Sequence, residues 1–264
     1  MASATTTPAK DAPFTTITAT ADGRIGRLTL NRPEKLNPLS TTTLREIAEA
    51  ARWFDAQSEV SIVIVTGAGR SFSAGADLST FSGPSNPDRD AADAGRLMAD
   101  ALESMRALAV VALQGWCVGG GLVVALACDI RVAADDARFS IPEVDLGIPL
   151  AWGGIPRMVR EIGPALTKEL VLTCRPFDAA EGRAAGFINE IVPAADLHER
   201  VETLAAELAA KAPLTIYATK RHVNAVTEQM VGTNRSWSDA DSLVAALGDP
   251  DCRDARRAYL ASRS

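Results

Sequence analysis

Paired cysteines are missing from this chain. Its four, Cys117, Cys128, Cys174 and Cys252, never fall at C-x-x-C spacing, which excludes a zinc knuckle and a thioredoxin-type redox motif. Cys117 and Cys128 lie in apolar runs and read as buried free thiols, so a reducing, cytoplasmic compartment is expected. No apolar run approaches the ~18 residues that a membrane-crossing helix needs, so no membrane partner is expected. Positive charge is in deficit. The formal net charge of −6 withholds the electrostatic support that a nucleic acid partner requires, although a phosphate-bearing small molecule needs only a local basic patch. Histidine is scarce: His198 and His222 are the only two, and their polar, helix-like surroundings mark them as surface residues. Nor does the sequence contain G-x-S-x-G, G-x-x-x-x-G-K-[ST] or G-x-G-x-x-G. A nucleophile elbow and the common phosphate cradles are therefore set aside, and no metal is called for.

What the sequence does contain is core material, 47% hydrophobic residues over 264 positions, with no internal repeat and no linker long enough to split it. Residues 1–13 are rich in Ala and Thr and read as a disordered lead-in. Residues 14–20 and 24–30 alternate apolar and polar around Ala21-Asp22-Gly23, a hairpin signal. Leu44, Ile47, Ala48, Ala51 and Phe54 follow helical spacing behind a Ser40 cap. Residues 60–65 and 110–113 read as buried strands, and residues 130–133 and 138–141 as two more. Between them, residues 81–93 carry glycine, prolines and aspartates and read as a mobile loop. Met98, Leu102, Met105 and Leu108 mark the next helix. From Trp152 onwards the chain reads as helices, with a clear stripe at Val201, Leu204, Ala205, Leu208 and Ala209.

Two strands each run into a glycine turn, one at Ser73-Ala74-Gly75-Ala76-Asp77-Leu78 and one at Gly119-Gly120-Gly121, which opens a helix. Such turns are either ordinary tight turns or a pair of backbone N–H donors aimed at one oxygen. These segments carry a resemblance. Asn31-Arg32-Pro33-Glu34-Lys35-Leu36-Asn37, the A-G-A-D-L turn, Gly115 through Gly121, Cys128-Asp129-Ile130-Arg131-Val132-Ala133, and Ala185-Gly186-Phe187-Ile188-Asn189-Glu190 together resemble the ordered motifs of the crotonase (enoyl-CoA hydratase/isomerase) superfamily.

The resemblance implies an α/β fold, a crotonase-like ββα superhelix over residues 14–200, followed by a C-terminal helical trimerisation region over 201–264. It implies an acyl-CoA thioester substrate, no separate cofactor because coenzyme A is part of that substrate, and a homotrimer or hexamer. The N–H groups of Ala76 and Gly120 are expected to bind the thioester oxygen. Lys35, Gly75, Asp77, Leu78, Gly119, Val123 and Trp152 are expected to line the substrate. The basic tail, Arg253, Arg256, Arg257 and Arg263, reads as a solvated helix face, though relatives use this region for CoA phosphates.

Family chemistry follows from the acids near the thioester. Hydratases carry glutamate three residues after the middle glycine, where this chain has Val123. They carry a second glutamate at the position of Glu143. Dienoyl-CoA isomerases carry aspartate eight residues further on, where this chain has Ala151. Valine cannot hold a water, so the reading is a one-glutamate Δ3,Δ2-enoyl-CoA isomerase with Glu143 as its base. The alternatives are an enoyl-CoA hydratase that tolerates Val123 and a catalytically silent acyl-CoA-binding protein. If the Glu143 segment is extended, Asp145 shares its face and becomes a candidate second acid.

Overall fold

The computed structural model describes residues 10–78 and 88–262. Three short strands open the chain: β1 (Lys10–Ala12), β2 (Ile17–Asp22) and β3 (Ile25–Leu30). The β2–β3 hairpin is the one the alternation predicts, with Ile17, Ala19 and Ala21 buried on its core face. Of the stretch 1–13 expected to be disordered, residues 1–9 lie outside the described residues, and residues 10–12 instead pair antiparallel with β2. Helix α1 (Thr41–Ala56) starts where Ser40 Oγ accepts the Thr43 N–H at 3.2 Å. Its predicted stripe is buried throughout.

The chain continues through β4 (Ile62–Gly67), α2 (Arg89–Ser104), β5 (Leu108–Leu113), β6 (Trp116–Val118), α3 (Gly120–Leu126), β7 (Ile130–Ala134) and β8 (Arg138–Ser140). It then runs through α4 (Gly154–Thr173), β9 (Phe177–Asp178), α5 (Ala179–Ala185), β10 (Glu190–Val192), α6 (Leu197–Ala209), α7 (Pro213–Met230), α8 (Asp239–Gly248) and α9 (Pro250–Ala261). One sheet has the order β1-β2-β3-β4-β5-β7-β10 and is parallel from β3 onward. A smaller sheet joins β6, β8 and β9. Strands β4 and β5 are apolar along almost their whole length because elements cover both faces. One covering element is α6, which lays Leu197, Val201, Ala205 and Ala209 against the sheet.

Several expectations are corrected. The region beyond Trp152 is not purely helical, since β9 and β10 complete the two sheets. The loop expected at 81–93 lies outside the described residues up to 87, and from Arg89 it is helix, capped by Asp88 Oδ1 on the Ala91 N–H at 2.8 Å. Met105 lies past the end of that helix, and Leu108 opens β5. Arg256 is buried and donates to the Leu247 carbonyl, so it belongs to the packing of α9 rather than to a solvated face. Arg253 and Arg257 are exposed, and Arg263 lies outside the described residues.

Candidate active site

The site forms where the glycine turn beyond β4 and the one that directly follows β6 come to one place. Asn37 organises the first. It sits at φ 53°, and its amide donates to the carbonyls of Ala68, Ser71 and Phe72 while its Oδ1 accepts the Arg32 N–H. Ser73 Oγ donates to the Asn37 carbonyl at 2.8 Å and accepts the Gly75 N–H. The turn then zips onto β6 through Ser73 N–H to Trp116 O and Val118 N–H to Ser73 O. Nothing in the motifs themselves assigns a role to Asn37 or Ser73, because both act through hydrogen bonds to residues distant in sequence. Both are braces.

The second turn docks directly on the first. Gly75 has φ 87°, and a Cβ there would fall 2.7 Å from the Val118 carbonyl and 3.7 Å from the Gly120 nitrogen. Leu39 takes up the backbone on the other side of Ala76, through Leu39 N–H to Gly75 O and Asp77 N–H to Leu39 O. That leaves the Ala76 N–H facing the opposite way. The Gly120 N–H is the first of α3, whose start leaves its N–H groups without an intrahelical acceptor. Both Ala76 and Gly120 line one small pocket with Val123, Glu143, Trp152 and Leu243.

Glu143 is the chemically active-looking member. Residues 142–147 form a helical-type turn, with Leu146 N–H bonded to Pro142 O and Ile148 N–H to Glu143 O. The segment is therefore not extended. Asp145 is exposed and does not line the pocket, while Glu143 is buried in it, which removes Asp145 as a second acid. Gly119 admits the carboxyl: it has φ 49°, and a Cβ there would lie 2.2 Å from Glu143 Oε1. Among the described residues Glu143 Oε2 has no hydrogen-bond partner. Burial pushes the carboxyl up to about 7, and a hydrogen bond from its own backbone offsets only part of that. No other carboxylate lines the pocket among the described residues, since Val123 and Ala151 occupy the two other family acid positions.

The remaining predicted residues divide. Gly75, Gly119, Val123 and Trp152 are at the site. Asp77 pairs with Arg32 at 3.3 Å and so supports the turn. Leu78 packs on the apolar cluster of Ala92, Leu146, Ile148, Ala151, Ala240, Leu243 and Leu247. Lys35 is exposed on a 3₁₀ turn away from that pocket lining. His198 and His222 are exposed. All four cysteines are free, and burial pushes the Cys128 thiol up to about 12, which makes it inert. A larger cavity of about 440 Å³ lies beneath α7, but its acids are paired, Asp129 with buried Lys220 at 2.8 Å, Glu161 with Arg131 at 2.6 Å and Glu103 with Arg157 at 2.5 Å, so no unsatisfied acid faces it.

A fold that brings two strand-end glycine turns onto a buried, isolated carboxyl defines an acyl-CoA enzyme of the crotonase superfamily. The family profile for enoyl-CoA hydratase/isomerase matches residues 20–264, and the chain belongs to that family. It is 34% identical over 215 residues to a probable enoyl-CoA hydratase from Mycobacterium tuberculosis, covering 81% of this chain and 83% of the relative. It is 32% identical to a peroxisomal Δ(3,5)-Δ(2,4)-dienoyl-CoA isomerase from Arabidopsis thaliana, covering 83% and 85%. The crystal structure of an enoyl-CoA hydratase from Mycobacterium avium subsp. paratuberculosis K-10 superposes with TM-score 0.85 at 26% identity, covering 93% of this chain and 99% of that one.

Proposed function

We propose that this enzyme is a one-base Δ3,Δ2-enoyl-CoA isomerase. The observation that carries the reading is the solitude of Glu143, one buried carboxyl among apolar side chains where a hydratase needs two groups to hold a water. The Glu143 carboxylate removes a proton from C2 of a 3-enoyl thioester. The electron pair delocalises over C2 to C4 and onto the thioester oxygen, which the Ala76 and Gly120 N–H groups hold as an oxyanion. The new carboxylic acid then returns its proton to C4, leaving the double bond at C2. Each backbone donor of such a hole supplies about 3–4 kcal/mol of transition-state stabilisation. The test is absorbance of the conjugated enoyl thioester: it should rise with a 3-enoyl-CoA and stay constant with crotonyl-CoA. Loss of the crotonyl signal at ~10 s⁻¹ or faster would identify a hydratase instead.

The proton chemistry fixes a pH dependence. The base acts only when ionised, and its burial raises its ionisation point to about 7. kcat/KM should therefore climb about tenfold per pH unit on the acid side and level off above neutrality. A profile flat from about pH 5 to pH 8 would show that another group takes the proton.

We also propose assembly into trimers. Helix α7 exposes Leu214, Val223, Val226 and Met230, at 75%, 57%, 47% and 76%. That is more apolar surface than one solvent-facing helix ordinarily leaves uncovered. Sedimentation should give a trimer or its double, and a monodisperse monomer at micromolar concentration would contradict the proposal.

A further inference from the structure

Trp152 has an unusual setting. It holds φ 62°, left-handed backbone that a bulky side chain seldom adopts. The next residue, Gly153, has φ 70°. This costly turn is clamped from two sides. Asp239 Oδ2 accepts the Gly153 N–H at 2.8 Å. The Arg157 guanidinium, itself buried and paired with Asp100 and Glu103, donates to the carbonyls of Trp152 and Gly153. A strained conformation persists only where its surroundings enforce it, and here they deliver one side chain to one place.

That place lies between α2 and α3. A Cβ on Gly95 of α2 would sit 2.0 Å from Cδ2 of the indole, and a Cβ on Gly120 of α3 would sit 2.2 Å from its Cζ3. The ring thus spans from the glycine turn to the facing helix, and both helices present glycine where it touches them. Beside it the pocket keeps about 30 Å³ of free space. The apolar cluster of Ala92, Ile148, Ala151 and Leu243 lies against the same indole. An acyl chain leaving Glu143 therefore meets Trp152 before it can run on between α2 and α8.

We propose that Trp152 is the chain-length stop of this site, confining the acyl group to short chains of about butyryl to hexanoyl size. The inference rests on the acyl-CoA reading above and adds the substrate class to it.

Equilibrium binding of saturated acyl-CoAs from butyryl to dodecanoyl separates this from the question of turnover. Titration calorimetry on the wild type should show affinity that stops rising near hexanoyl-CoA and falls about tenfold or more by decanoyl-CoA, because the extra methylenes overpack the pocket. In Trp152→Ala the gain should continue at about fourfold per buried methylene through octanoyl-CoA. Trp152→Phe should lie between. Wild-type affinity that climbs steadily to dodecanoyl-CoA overturns the proposal, and that measurement needs no variant to fold. A Trp152→Ala protein with native circular dichroism and an unchanged chain-length profile overturns it too. Binding with the expected profile but no conversion of a 3-enoyl-CoA upholds the stop and removes the isomerase. Failure of every acyl-CoA to bind removes both.

Discussion

Glu143→Gln is expected to reduce isomerisation by several orders of magnitude while leaving acyl-CoA affinity nearly unchanged. The amide keeps the shape of the acid but cannot accept the C2 proton. The same variant should also be more stable than the wild type above neutral pH. In the unfolded chain this carboxyl ionises near 4.5, and burial moves it to about 7 in the folded protein. Between those values the folded state binds more protons than the unfolded one, so wild-type stability falls as pH rises through that window. The full penalty, about 3 kcal/mol, is present above the folded value and absent below the unfolded one. Thermal unfolding of both proteins near pH 4 and pH 8 should thus show a gap in favour of glutamine that opens on the alkaline side. Unchanged turnover would remove Glu143 from the mechanism. A gap independent of pH would show that its carboxyl is not held neutral by burial.

Val123→Glu should create crotonyl-CoA hydration and reduce 3-enoyl isomerisation. Val123 is fully buried on the first turn of α3 and lines the same pocket as Glu143. A carboxyl there would face the existing one, and two like charges in a small apolar site do not both ionise, so one becomes the acid and the other the base. Together they can hold and activate a water. The change has a cost. Burying the carboxyl takes about 1–3 kcal/mol, and the larger side chain meets Gly154, where even a Cβ would lie 3.1 Å from the valine methyl. Rates on crotonyl-CoA and on a 3-enoyl-CoA, measured for both proteins, decide the matter. A variant that folds, binds acyl-CoA and still fails to hydrate would mean that Val123 is not what separates the two chemistries.

The parts of this molecule that repeat over several turns of chain were legible in its sequence. Helix α1 announced itself through Leu44, Ile47, Ala48, Ala51 and Phe54, because five contacts at helical spacing outweigh any local ambiguity. The two glycine turns were legible for a similar reason, each following a run of buried β-formers. Strands β9 and β10 were not, since two and three residues are too few to express alternation and are held by the sheets they join. Asp145 was misplaced because the segment after Ile141 is a turn closed by its own backbone bonds, and proline before Glu143 does not distinguish that from an extended chain. The work of Asn37 was invisible, because its amide bonds carbonyls 31 to 35 residues further along. Arg256 failed from the other direction: its residue type suggested a solvated face, and only its neighbours decided.

In the proposed mechanism the thioester oxygen is held by peptide groups alone, and that shapes how the gene can vary. A saturation mutagenesis scan for activity should give two kinds of fingerprint. At Glu143 tolerance will follow proton affinity, so that even the isosteric amide scores as dead. At Gly119 and Gly120 it will follow volume, since the first added carbon already meets the Glu143 carboxyl or the Trp152 indole. Ala76 keeps its N–H under every replacement except proline, so there the scan will record backbone shape and crowding rather than reactivity. Half of the chemistry is thereby shielded from side-chain drift, and a lineage changing its reaction would be expected to do so through positions such as Val123, Glu143 and Ala151, with the two turns carried along unaltered.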